Sequence, residues 1–138
     1  MAEKLRLEIY TPEGLALNQE VDEIEGPGFN GAFGLLPQHT PYFVLLKTGV
    51  LSYRSGNEWK GLVVDSGYAV VEDNIVKVVV NSVEAVDNIN YDEELRSKEK
   101  ISEEMKVLST DSQEFLNLEI AYRKTIARIQ AYERFQKR

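Results

Sequence analysis

Polar and apolar residues alternate with a period of two through most of the first ninety or so residues, and with a period near 3.6 after that. In "KLRLEIY", Leu5, Leu7 and Ile9 fall on one face and Arg6, Glu8 and Tyr10 on the other, the signature of a strand with one buried side. "YFVLLK" and "GVLSYR" follow, joined through Lys47, Thr48 and Gly49; "RSGNEW" marks a hairpin turn at Gly56 and Asn57. "GLVVDS", "GYAVVE" and "IVKVVVNS" are interrupted at Ser66-Gly67 and at Asp73-Asn74. At least seven short strands in this part point to an antiparallel sandwich or flattened barrel. The unbroken "LVV" and "VVV" runs require cover on both faces.

From residue 89 the period changes. "NYDEELRSKEKISEEMKVLS" opens on a capping box, Asn90 with Glu93, and carries Leu95, Ile101, Met105 and Leu108 at helical spacing, with Lys98 breaking the stripe. A turn at "STDS" leads to a second start, read as Asp111 capping with Glu114. Phe115, Leu118, Tyr122, Ile126, Ile129 and Tyr132 then mark one side of a longer helix. No proline interrupts either segment, so helices of about 18 and 25 residues, roughly 27 and 37 Å long, pair as an antiparallel hairpin. The expected domains are a β-sandwich over 1–88 and a helical arm over 89–138. Each helix has one narrow apolar stripe, set against about 1–2 kcal/mol of backbone entropy per ordered residue, so the arm's docking is marginal.

Charge sharpens this division. The formal net charge is −7, and residues 89–138 contain ten acidic and ten basic side chains, so the surplus lies entirely in the strand-forming part. Residues 115–138 hold only Glu119 and Glu133 against Arg123, Lys124, Arg128, Arg134, Lys137 and Arg138. This basic tip on an acidic chain suits an acidic partner, and the overall charge opposes general nucleic-acid binding. No apolar run approaches the roughly 18–20 residues of a membrane span, and the charged, alternating N-terminus lacks a signal-peptide core. With no cysteine, disulfides and thiolate metal sites are excluded and the cytosol is the default expectation.

Signatures of chemistry are few. The chain has no phosphate loop, no dinucleotide fingerprint and no metalloprotease histidine pair. His39, its one histidine, lies between Pro37 and Pro41 in "NGAFGLLPQHTP", which suits a shaped docking loop better than a general base. Gly31 and Gly34 flank Phe33, so the strand can bend while one aromatic plugs the sandwich. Asp22, Glu23 and Glu25 read as the solvent face of an edge strand rather than a site for a hard cation.

"GAFGLLPQHTPYFVLLKTGVLSYR" followed by "VVDSGYAVVEDNIVKVVV" resembles the epsilon subunit of bacterial and chloroplast F-type ATP synthases. The family pattern is matched at Gly31, Gly34, Pro37, His39, Pro41, Leu46, Lys47, Gly49, Gly67, Tyr68 and Val71, and the resemblance extends over essentially the whole chain. It implies an all-β sandwich of about ten strands followed by a helical hairpin, in a non-catalytic central-stalk subunit. The implied partners are the gamma subunit, the c-subunit rotor ring and, through the helices, the catalytic alpha and beta subunits, whose ATP hydrolysis the arm inhibits. The implied location is peripheral, on the cytoplasmic face of a bacterial inner membrane or the stromal side of a thylakoid.

Carried onto this sequence, the rotor-ring contacts are His39, Gln38 and Ala32, the last standing where many members have an acidic residue. Arg123, Lys124, Arg128 and Arg134 are the implied inhibitory contacts. Some members bind ATP as a regulatory ligand through an (Ile/Leu)-Asp-x-x-Arg-Ala motif and two basic residues four apart. Here "DEELRS" places Asp92, Glu93, Arg96 and Ser97 at the defined positions, Lys124 and Arg128 supply the basic pair, and Asp87 keeps an acidic position. No other cofactor or metal is implied. Two further classes fit less of the chain: a free-standing adaptor with a peptide-binding sheet edge and a dimerising hairpin, and a small enzyme using His39.

Overall fold

In the computed structural model, which describes residues 3–136, ten strands are followed by two helices. The strands are β1 (Leu5–Thr11), β2 (Gly14–Val21), β3 (Glu23–Gly28), β4 (Gly31–Leu35), β5 (Tyr42–Leu46), β6 (Gly49–Ser55), β7 (Glu58–Val64), β8 (Gly67–Glu72), β9 (Ile75–Val80) and β10 (Val83–Ala85). A 3-10 turn at Val86–Asn88 leads to α1 (Tyr91–Lys106) and α2 (Gln113–Phe135). The sheet runs β10-β7-β6-β3-β5-β8-β9-β1-β2, with β4 on β3. It turns a corner where β3 and β5 share only the Gly28–Leu46 pair, giving the two layers of a sandwich. All pairings are antiparallel except β1 with β9, which is parallel. The N-terminal strand thus closes the sheet beside β9 rather than forming a simple meander.

Alternation places the core. Leu5, Leu7 and Ile9 of β1 meet Val76, Val78 and Val80 of β9, Ile24 of β3 and Leu51 of β6 between the layers, all essentially inaccessible. Burying each large aliphatic side chain contributes about 1.5–3 kcal/mol. Every buried member of this cluster lies between Leu5 and Val80, so the sandwich closes its core without the helices. Phe33 covers Gly26 on the neighbouring strand; a β-carbon there would come within 2.5 Å of the ring. The aromatic plug thus requires a glycine opposite it, not only the glycines beside it.

The two apolar runs have different fates. In "LVV", Val64 and the partly buried Leu62 face the core, while Val63 points outward beneath α2, so this strand is covered on both faces. In "VVV", Val78 and Val80 are buried but Val79 is only half-covered. On the neighbouring β5 and β8, Phe43, Leu45 and Tyr68 are 59%, 54% and 38% exposed. The expected cover on this outer face is absent among the described residues.

The cap of α2, the helix lengths and the place of β3 differ from the sequence expectation. Asn90 caps α1 as expected, accepting from the Glu93 amide and donating to the Glu93 carboxylate. For α2 the cap is Ser112, which accepts from the Phe115 amide, and not Asp111, whose amide is bonded to the Ser109 hydroxyl. The helices are therefore 16 and 23 residues long. Also, β3 is an interior strand, flanked by β6 and by β4 and β5. Its carboxylates and that of Asp22 face cations: Asp22 meets Lys4, Glu23 meets Arg54 and Glu25 meets Arg134.

Candidate functional site

The underside of the arm is built from small residues. Ala127 and Ala131, four apart on α2, sit on Val63 of β7 and Val86, with Val50, Ile89 and Phe135 around them. The short side chains let the helix lie close to the sheet. At the end of the seam Phe135 occupies the space above Gly61, where a β-carbon would collide with its ring. Thr125 and Ile129, also four apart, are buried as well, whereas α1 buries no residue. The long side chains foreseen as the stripe of α2 are mostly only half-buried, because both faces of α2 are used and neither is wide. Tyr91 of α1 stacks on Tyr132 with centroids 4.6 Å apart, and its hydroxyl donates to Glu133. That bond to a carboxylate raises the phenol's pKa above its ordinary value.

Polar clasps flank this seam. Arg128 donates from Nε and Nη2 to the two oxygens of Glu84 on β10, at 2.8 and 2.7 Å. Its Nη1 reaches Glu94 of α1 at 3.5 Å. Lys124 approaches the same Glu84 at 4.0 Å. The hydrogen bonds from Arg128 hold the Glu84 carboxyl below the usual carboxylate range and push Arg128 upward, against the opposing cost of burial. At the far end of α2, Arg134 meets Glu25 of β3 at 3.1 Å and lies over the Phe135 ring. Three of the four basic residues assigned to inhibition are thus paired with carboxylates of the sandwich. The fourth, Arg123, is exposed and, among the described residues, pairs with Glu119, one turn before it, at 3.5 Å.

The residues assigned to ATP have other engagements. Lys124 and Arg128 converge on Glu84, the Glu93 carboxylate is bonded to Asn90, and Asp87 accepts from Gln136. Arg96 is exposed. The sequence pattern does not single out Glu84 or Glu94, and it marks Glu25 only as part of a solvent-facing edge strand. The readable hint was the pair of alanines four apart on α2, which implies close approach to a surface but does not say which carboxylates border it.

The other end of the sandwich carries the histidine loop. Gln38 adopts φ 66°, its amide donates to the Asn74 side chain at 2.6 Å, and its own side chain donates to Glu3 at 2.8 Å. Asn74 also donates to Glu3, and with Asp73 it forms a turn in which both residues have positive φ. Nδ1 of His39 donates to the Thr40 carbonyl at 2.8 Å, and its ring lies 5.5 Å from Tyr42, which in turn meets Phe33 edge-on at 6.1 Å. This chain of rings connects His39 to the strand bearing the exposed Ala32. The loop is pinned by these hydrogen bonds and faces outward, and His39 is bonded to the carbonyl of the next residue rather than to a nucleophile. Around the side of the sheet, Phe43 stacks on Tyr68 at 5.6 Å and Leu45 pairs with Tyr68 across the strands. The result is a contiguous apolar face of the kind that marks a protein interface.

Among the described residues no helix is long and apolar enough to cross a membrane. The fold is similar to a chain of the Euglena gracilis mitochondrial ATP synthase, with a TM-score of 0.81 at 18% identity, covering 92% of this chain and 80% of that one. A chain of the Tetrahymena thermophila mitochondrial ATP synthase central stalk and c-ring matches with a TM-score of 0.65 at 15% identity, over 94% of this chain and 96% of that one. In sequence, the ATP synthase epsilon chain 2 of Syntrophotalea carbinolica is 37% identical over 130 residues, 94% of each chain. The ATP synthase epsilon chain of Geobacter metallireducens is 35% identical with the same coverage. A family model described as the beta-sandwich domain of the ATP synthase delta/epsilon chain matches residues 4–86. With its sandwich matched by that model and relatives spanning nearly its whole length, the chain belongs to the ATP synthase epsilon chain family.

Proposed function

We propose that this chain is a non-catalytic central-stalk subunit that joins the gamma subunit to the c-subunit ring and restrains ATP hydrolysis by extending its helical arm toward the catalytic alpha and beta subunits. One observation carries the reading: the sandwich completes its core without the arm, whereas the arm rests on two alanines, the Phe135 ring and a few ion pairs. An arm so attached can leave the sheet without unfolding the anchor. The apolar face of Phe43, Leu45 and Tyr68 supplies a docking surface for the gamma subunit. The hydrogen-bonded loop of Gln38 and His39, with Ala32 on the neighbouring strand, supplies the contact with the ring. Association with the membrane is peripheral, through the ring, on the cytoplasmic face in a bacterium. ATP enters as a regulatory ligand only by displacing Glu84 from Lys124 and Arg128, and calorimetric titration of the chain with ATP tests that step.

The main test titrates the full chain, or residues 1–88, into a catalytic head carrying gamma but no epsilon-type subunit, with hydrolysis and co-sedimentation as readouts. Binding by both and inhibition by the full chain alone is the expected result. Binding by both with inhibition by neither removes the brake from the proposal and leaves the coupling role. Binding by neither returns the chain to the adaptor class.

A further inference from the structure

Resting on that reading, we propose that Glu84 is a built-in competitor. Lys124 and Arg128 form a carboxylate-binding fork, filled by Glu84 when the arm is folded and by an acidic segment of the catalytic subunits when it is extended. The strength of inhibition is then set by a residue of the sandwich that never touches the catalytic head.

The geometry carries this in three ways. First, the contact is bidentate, with Nε and Nη2 of Arg128 on the two oxygens of one carboxylate, the fork-to-fork arrangement that makes guanidinium selective for planar anions. Second, it is exclusive. Nη1 is directed at Glu94 and Lys124 lies 4.0 Å from Glu84, so in the folded chain a partner's carboxylate must compete with Glu84 for both cations. Third, it is the most sheltered ion pair between arm and sandwich among the described residues: Arg128 and Glu84 are 26% and 28% exposed, while Arg134 and Glu25 are 53% and 44% exposed. Screening by solvent and salt weakens the outer pair more than the inner one. The partner that fits the fork is therefore a peptide with two nearby carboxylates, replacing Glu84 and Glu94 together. Because one set of donors serves both states, loss of Glu84 favours the extended state by removing the contact that competes with the partner. Docking weakens because the fork is left unfilled in the folded chain.

The test has two arms, one of them independent of any ATPase. Binding of a fluorescent hexaglutamate peptide to the isolated full-length chain is measured by anisotropy for the native sequence, for Glu84→Gln and for Glu84→Gln with Arg128→Gln. Glu84→Gln is expected to bind about tenfold more tightly than the native chain, and the double variant to lose that gain. Hydrogen exchange of the α2 amides, followed in the same samples, is expected to speed up in Glu84→Gln and to stay unchanged in the control Glu119→Gln. Inhibition of the gamma-containing head is then compared, with Glu84→Gln expected to act at a several-fold lower concentration. Peptide affinity unchanged by Glu84→Gln overturns the competitor, whatever the head does. Tighter peptide binding with no inhibition by either native chain or variant keeps the fork and its competitor but overturns the inhibitory role of the arm. Tighter peptide binding with inhibition present but not strengthened shows that the head does not use the fork and overturns the proposal.

Discussion

The sandwich and the arm are nearly equal in regularity and very unequal in burial. Between the layers, Leu5, Leu7, Ile9, Ile24 and Leu51 have no accessible surface, and each is held by neighbours from several strands. On the arm, α1 buries nothing and α2 buries Thr125, Ala127, Ile129 and Ala131. The arm's secondary structure is satisfied internally by helical hydrogen bonds and caps, so it needs the sandwich for position more than for shape. Position held by small contacts and ion pairs is cheap to change, and fold held by a closed aliphatic core is not. The proposed role, an anchored sandwich with a movable arm, uses this division.

Substitutions should expose the difference in order of size. Leu7→Ala, at the centre of the core, is expected to cost about 2–5 kcal/mol and to lower the thermal midpoint of the whole chain, seen by circular dichroism. A loss confined to the helical signal would contradict the separate roles. Ala131→Leu overfills the seam under α2 and is expected to cost about 1–3 kcal/mol of docking. Hydrogen exchange should accelerate in α2 while the strand amides of β1 and β9 keep their protection.

Acid should act on the same seam. The Glu84 carboxyl titrates below its ordinary value of 4.5 when Arg128 is docked, with Lys124 adding to that direction and Asp65 opposing it. Docking therefore gains stability above the ordinary carboxylate range and loses it as pH falls through the docked value. Between about pH 6 and 8, α2 exchange corrected for intrinsic rate should stay flat. A release of the arm within that window would mean that another group governs it. The smallest effect separates the two caps: Ser112→Ala should cost the start of α2 about 1 kcal/mol and Asp111→Ala almost nothing. Equal losses in the two variants would return the cap to Asp111.

Much of the architecture was legible in one dimension, because alternation and helical spacing are local consequences of backbone geometry. Leu5, Leu7 and Ile9 had to share a face, Asn90 with Glu93 had to start a helix, and the loop around His39 had to be stiffened by Pro37 and Pro41. Only the tertiary structure decided what met across long separations. It laid β1 parallel to β9, made β3 an interior strand whose acids face Arg54 and Arg134, and left Phe43 and Tyr68 uncovered. It also brought Glu84 to Arg128, 44 residues away. A periodic pattern states which side of an element is apolar, but the partner across a layer depends on how the sheet turns its corner and where the arm lands. Those choices rest on the volumes of residues as small as Gly61, Ala127 and Ala131, whose importance lies in the side chains they lack.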